Sequence, residues 1–201
     1  MAKLTIDDIA DQRAYERERD AFRRHVIALK KRRRVGVGPF VTLVFENRDT
    51  VRFQIQEMAR VERIGTDEGI QEELDVYNPL VPEPGHLAAS LFIELTDDDA
   101  MRRWLPELVG IETSVELRLS AAGDGDGAVA RCQVDPAHAS QLTRDEITAA
   151  VHYVHFSLTP EQVDAVEAGP VRLAVAHPAY DEETMLGDET RAELLADLRG
   201  T

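Results

Sequence analysis

One stretch constrains this fold more than any other. Between residues 45 and 64, FENRDTVRFQIQEMARVERI, a strand gives way to a helix that is apolar on two sides. The preceding residues 41–45 are β-branched and apolar, which reads as a strand. Asp49 and Thr50 suit an N-cap, since their side-chain oxygens can accept from the free amides of a first turn. At about 100° per residue, Ile55, Met58, Ala59 and Glu62 share a face with Val51. Phe53, Glu57 and Ile64 lie opposite, with Arg52, Gln56, Arg60 and Arg63 on one flank between them. A helix apolar on two sides is expected to be covered on two sides, which places it centrally.

Glu62 interrupts the main apolar face, where an ionised carboxylate is costly unless paired. Two readings follow. In the commoner arrangement it lies in the last turn and reaches solvent or an arginine. In the other it faces a cleft beside Arg48, Arg52 or an N-terminal arginine, with Gln54, Gln56 and Glu57 as further fixed polar groups. The loop NPLVPEPG would bring Tyr77, Asn78 and His86 to such a site, because three prolines exclude regular structure there.

The rest of the chain is expected to be α+β. Residues 11–33 carry Tyr15, Phe22, Val26 and Leu29 at helical spacing and end in KKRRR, favourable charge for a helix C-terminus. Residues 70–77 suggest a short helical turn. Residues 87–95, 115–119, 129–134, 151–158 and 171–176 read as strands. Helices are expected after Asp97, after Thr159-Pro160 and around Leu194 and Leu198. GDGDG at 123–127 has hairpin character, and Thr143 with Glu146 has capping-box spacing. The sum is a mostly antiparallel sheet of about six strands, with the long N-terminal helix and the central helix packed on it. A single domain over 1–201 is expected, with a possible sub-division near 110–150.

Motifs exclude more than they specify. Cys132 is the lone cysteine, so no disulfide framework or cysteine cage is available. Glu83 and His86 have Glu-x-x-His spacing, but Pro84 and Gly85 between them forbid the helix that would present both. His152 and His155 fall on opposite faces of one strand. No iron, zinc, flavin or other cofactor is therefore expected. No apolar run approaches membrane-spanning length and the N-terminus lacks a secretory signal, so the cytoplasm is the default address. Residues 1–64 carry 15 Lys/Arg against 10 Asp/Glu, whereas the remainder carries 8 against 28. Such acidity conflicts with nucleic-acid binding. The basic part could dock on the protein's own acidic half or on a partner, and the long helix could reach a second subunit.

The run KKRRRVGVGPFVTLVFENRDTVRFQIQEMARVERI, then EELDVYNPLVPEPGHLAASLFIEL and the late HPAY, resembles the bacterial family catalogued as domain of unknown function 3501. That resemblance implies no established activity and carries over no site residue. It implies an association with a rubrerythrin or an iron–sulfur protein, hence an accessory role in a redox system. The residues themselves support a second possibility, a small-molecule-binding protein or enzyme built on the Arg/Gln/Glu cluster of the central helix.

Overall fold

Alternating apolar residues build two antiparallel sheets whose inner faces share one core. The computed structural model describes residues 2–120, 127–134 and 146–201. Chain order is α1 (Gln12–Arg33), β1 (Arg34–Val37), β2 (Val41–Glu46), α2 (Arg48–Glu62), α3 (Asp67–Tyr77) and β3 (His86–Ile93). There follow α4 (Asp98–Glu107), β4 (Val115–Leu119), β5 (Ala128–Arg131) and β6 (Val151–Ser157). Last come α5 (Pro160–Ala168), β7 (Val171–His177), β8 (Tyr180–Met185) and α6 (Asp188–Arg199). The sheets are ordered β1-β2-β3-β6 and β5-β4-β7-β8. The described residues thus hold eight strands where about six were expected, β1 and β8 being the additions. The hairpin turn expected at 123–127 falls mostly outside the described residues, although β4 and β5 do pair antiparallel. The capping box starting at Thr143 also lies outside them.

The sheets are sewn together at both edges. Gln133, just past β5, exchanges backbone hydrogen bonds of 2.7 and 2.8 Å with His155 of β6. At the other edge Tyr180 Oη donates to the Val37 carbonyl at 2.6 Å and accepts from Val41 N at 3.3 Å. Gly38 allows that approach: its φ is +67°, and a Cβ there would stand 2.5 Å from the Tyr180 hydroxyl. Leu43, Phe45, Leu91, Val154 and Phe156 from one sheet meet Val115, Leu117, Leu173 and Val175 from the other, all essentially without solvent exposure. Val166, Leu194 and Leu198 of α5 and α6 join the same core.

The outer face of the first sheet is covered too, so all six residues of β2 are buried. Here α2 buries Val51, Ile55 and Ala59, the first two in a second cluster with Leu4, Leu74, Leu80, Val81 and Ala88. Its opposite side meets α1, with Phe53 edge-on to Phe22 at 5.7 Å between ring centroids. The two-sided covering expected of this helix is therefore present, and α1 lies across the chain's own elements. Met58, placed on the buried face by spacing, is only half-buried. The N-cap is Asn47, which accepts from the amides of Asp49 and Thr50, and not those two residues themselves. Helix α3 begins three residues before the expected turn, capped by Thr66. Of the KKRRR run, Arg32 and Arg33 reach Glu193 on α6 and Arg34 reaches Glu94. Among the described residues no helix is long and apolar enough to cross a membrane.

Candidate functional site

The polar cluster of the central helix holds the N-terminal segment in place. Arg48 pairs with Asp8 and donates to the Ala2 carbonyl. Arg52 donates to the Asp8 carbonyl at 2.8 Å, pairs with Glu18 at 3.0 Å and lies over the Phe22 ring. Buried Gln56 makes both amide bonds to Ala10, accepting at 2.8 Å and donating at 3.1 Å. Asn78 does the same to Leu4, at 2.9 Å each way. Glu57 accepts from Tyr15 Oη and, bidentately, from Arg19 at 2.7 and 2.9 Å. The Arg19 hydrogen bonds hold the Glu57 carboxyl at about 2, and burial together with Glu57 raises the Tyr15 phenol. Glu62 is exposed, so the solvent-reaching alternative holds and the cluster has no buried centre. His86 is exposed as well and bonds only the nearby Pro84 carbonyl, at 3.1 Å.

Of the expected site residues, this leaves Gln54 and Tyr77, and the structure brings those two together. Both line a cavity of about 200 Å³ between α2 and the outer face of the first sheet. Its polar wall comes from Glu46, Ser90, Tyr153 and Lys30. The strand register explains the grouping. Ser90 stands opposite Val44 on one side and Tyr153 on the other, and Glu46 lies two residues along from Val44. A period of two therefore points Glu46, Ser90 and Tyr153 to the same, helix-covered face in a diagonal row. Glu46 is 6 % exposed and accepts from Ser90 Oγ at 2.7 Å. Burial, with Tyr77 and Glu46 nearby, pushes the Tyr153 phenol up to about 12, so it stays protonated and able to donate. Lys30, from the last turn of α1, is half-buried. Val51, Leu80, Phe92 and Val151 supply the apolar wall.

Two other places offer less to a ligand. A larger cleft, about 360 Å³, opens between residues 6–13, α2 and the α2–α3 turn. Its Gln56 and Tyr15 are already committed, leaving Arg60, whose buried Nε has no hydrogen-bond partner. Elsewhere Cys132 donates to the Glu112 carbonyl, and burial pushes its thiol up to about 11, the opposite of an activated nucleophile. Burial likewise holds the His152 ring below its ordinary value against the opposing pull of Glu112. Among the described residues no group of three or more His, Cys, Asp or Glu is placed to hold a metal ion.

The family model described as protein of unknown function (DUF3501) matches residues 3–198. The chain belongs to this family. A crystal structure of a protein of unknown function from Burkholderia pseudomallei is similar over 98 % of this chain and 100 % of its own, at 37 % identity and a TM-score of 0.87. The fold described above is thus shared with that protein. No curated protein matches the sequence.

Sequence reasoning missed Glu46, Ser90, Lys30 and Tyr153. Glu46 did carry a signal. It follows an unbroken apolar strand and falls, by alternation, on the side of Thr42 and Val44, the side a two-faced helix must cover. Lys30 was hidden in a basic run of which Arg32, Arg33 and Arg34 have structural partners.

Proposed function

We propose that this DUF3501 protein is a small-molecule-binding accessory protein, holding its ligand in the Glu46 pocket and serving a redox partner of the rubrerythrin or iron–sulfur class in the bacterial cytoplasm. The observation that carries the ligand-binding half is a buried carboxylate lining a cavity with a single hydrogen bond to the described residues. Such a group is costly in a folded protein and is retained where an occupant completes it. The cavity is smaller than the ~300–1,000 Å³ of drug-sized sites, which limits the ligand to a small metabolite. The partner half follows from the family resemblance. It is supported by the exposed acidic side of α3, where Glu68, Glu72 and Asp75 accompany exposed Val76.

The test is a thermal-shift screen of the purified protein against small polar metabolites, repeated on Gln54→Trp, which fills the pocket from a half-buried position. Ligands that raise the melting temperature of the parent by several degrees and leave the variant unmoved support the reading. Equal shifts in both proteins place binding elsewhere and overturn it.

A further inference from the structure

We propose that the Glu46 pocket takes a small zwitterion, an amino acid in the chemical sense, with its ammonium on Glu46 and its carboxylate on Lys30. This rests on the ligand-binding reading above and names the class of ligand. Glu46 and Lys30 line the same cavity from neighbouring elements, the end of β2 and the last turn of α1. No ion pair joins them, and neither makes an ion pair with any other described residue. Among the described residues the only hydrogen bond to the Glu46 carboxylate comes from Ser90, a neutral donor. Two opposite charges thus line one small cavity, neither with an ionic partner among the described residues.

That arrangement discriminates among charged molecules. A simple amine is drawn to Glu46 but repelled by Lys30, and a simple carboxylate meets the reverse. A molecule with opposite charges at its two ends is attracted at both and leaves no net charge in the cavity. Depth sets the orientation. Glu46 is nearly fully buried and Lys30 only half, so the ammonium enters first and the carboxylate stays near the mouth. Tyr77 and Tyr153 also line the cavity, and aromatic rings of this kind attract an ammonium. Val51, Leu80 and Phe92 suit a short aliphatic body between the charges.

The test is titration calorimetry of the intact protein with glycine, β-alanine, γ-aminobutyrate and valine. Each is compared with the acid that lacks its amine and the amine that lacks its acid. At least one zwitterion should bind about tenfold or more tighter than either of its half-molecules. Glu46→Gln, which keeps the shape and the Ser90 contact, should reduce that affinity to the level of the acid. Lys30→Met should reduce it to the level of the amine. Melting temperatures near the parent's confirm that both variants fold, and Lys30 is exposed enough for its variant to serve even if Glu46→Gln does not. Half-molecules that bind as tightly as the zwitterion, or variants that keep full affinity, overturn the assignment. If no zwitterion binds but another metabolite does, and Gln54→Trp abolishes it, the zwitterion falls and the pocket reading stands. If nothing distinguishes the parent from Gln54→Trp, both fall.

Discussion

Two buried acidic sites lie at the same end of β2, and their chemistry is opposite. In the first, Arg33 is fully buried and every arm of its guanidinium is used. Nε donates to the Phe45 carbonyl at 2.9 Å, Nη1 to Glu193 at 3.1 Å, and Nη2 to the Glu46 carbonyl and Asp197. Arg32 adds a 2.7 Å bond to Glu193. In the second, one residue's side chain away, the Glu46 carboxylate has, among the described residues, a hydrogen bond from Ser90 alone, and it lines an open cavity. The first is closed in all directions and joins α1, β2 and α6. The second is closed on one side only. A polar network that serves the fold satisfies its members from within the chain, whereas one that serves a ligand leaves a direction unfilled.

The largest effect should come from breaking the closed site. Arg33→Met removes the cation from Glu193 and Asp197, and leaves the Phe45 and Glu46 carbonyls without their donor. We expect a loss of about 3–5 kcal/mol in urea melts at neutral pH, the scale for stripping one partner from a buried pair. Adding Asp197→Leu to that variant should recover a good part of it, since apolar replacement of both partners is near neutral. A single variant as stable as the parent would mean that the network contributes little.

A smaller effect is expected where charge is half-exposed. Glu57 is held at about 2, below its ordinary 4.5, chiefly by the hydrogen bonds from Arg19. Its folded value is depressed, so the stabilisation is fully present above pH 4.5 and is lost as pH falls from there towards 2. Glu57→Gln should cost on the order of 2 kcal/mol at pH 7, after allowance for solvent on a side chain about a fifth exposed. The difference from the parent should shrink towards zero on acidification to pH 2. A difference that stays constant with pH would show that packing of Tyr15 and Arg19, and not charge, is what Glu57 supplies.

Local signals carried most of the fold. The Asp11 and Thr159 caps start α1 and α5 where spacing puts them, and β4 runs over residues 115–119 as expected. The two strands that escaped notice are made by tertiary contacts. β1 reads RVGV, where an arginine and a glycine leave too short an apolar pattern, and β8 reads YDEETM, charged along most of its length. β8 ends its sheet, so Asp181 and Glu182 can face water while Tyr180 is held in the seam between the sheets. The site was half legible for a related reason. Periodicity put Arg52 and Gln56 on one flank of α2 and Glu57 on the face next to it. It could not tell that residues 2–19 run across that side and consume those groups, because such contacts span roughly 40 residues of sequence.

The smallest expected effect probes the open site directly. Removing charge from a closed buried pair strands its partner, but among the described residues Glu46 has no ionic partner to strand. Glu46→Gln preserves an acceptor for Ser90 Oγ and removes an uncompensated buried charge. In the absence of ligand its stability should therefore stay within about 1 kcal/mol of the parent, or rise, since neutral or apolar replacements of buried charge are often stabilising. Glu62→Gln, at the exposed end of α2, is the natural reference and should stay within about 0.5 kcal/mol, as surface changes do. Urea melts of the two variants side by side settle the matter. If Glu46→Gln loses several kcal/mol, as Arg33→Met should, its carboxylate is closed by interactions within the chain. The two sites at the end of β2 are then alike, and the contrast between a structural and a ligand-facing charge fails.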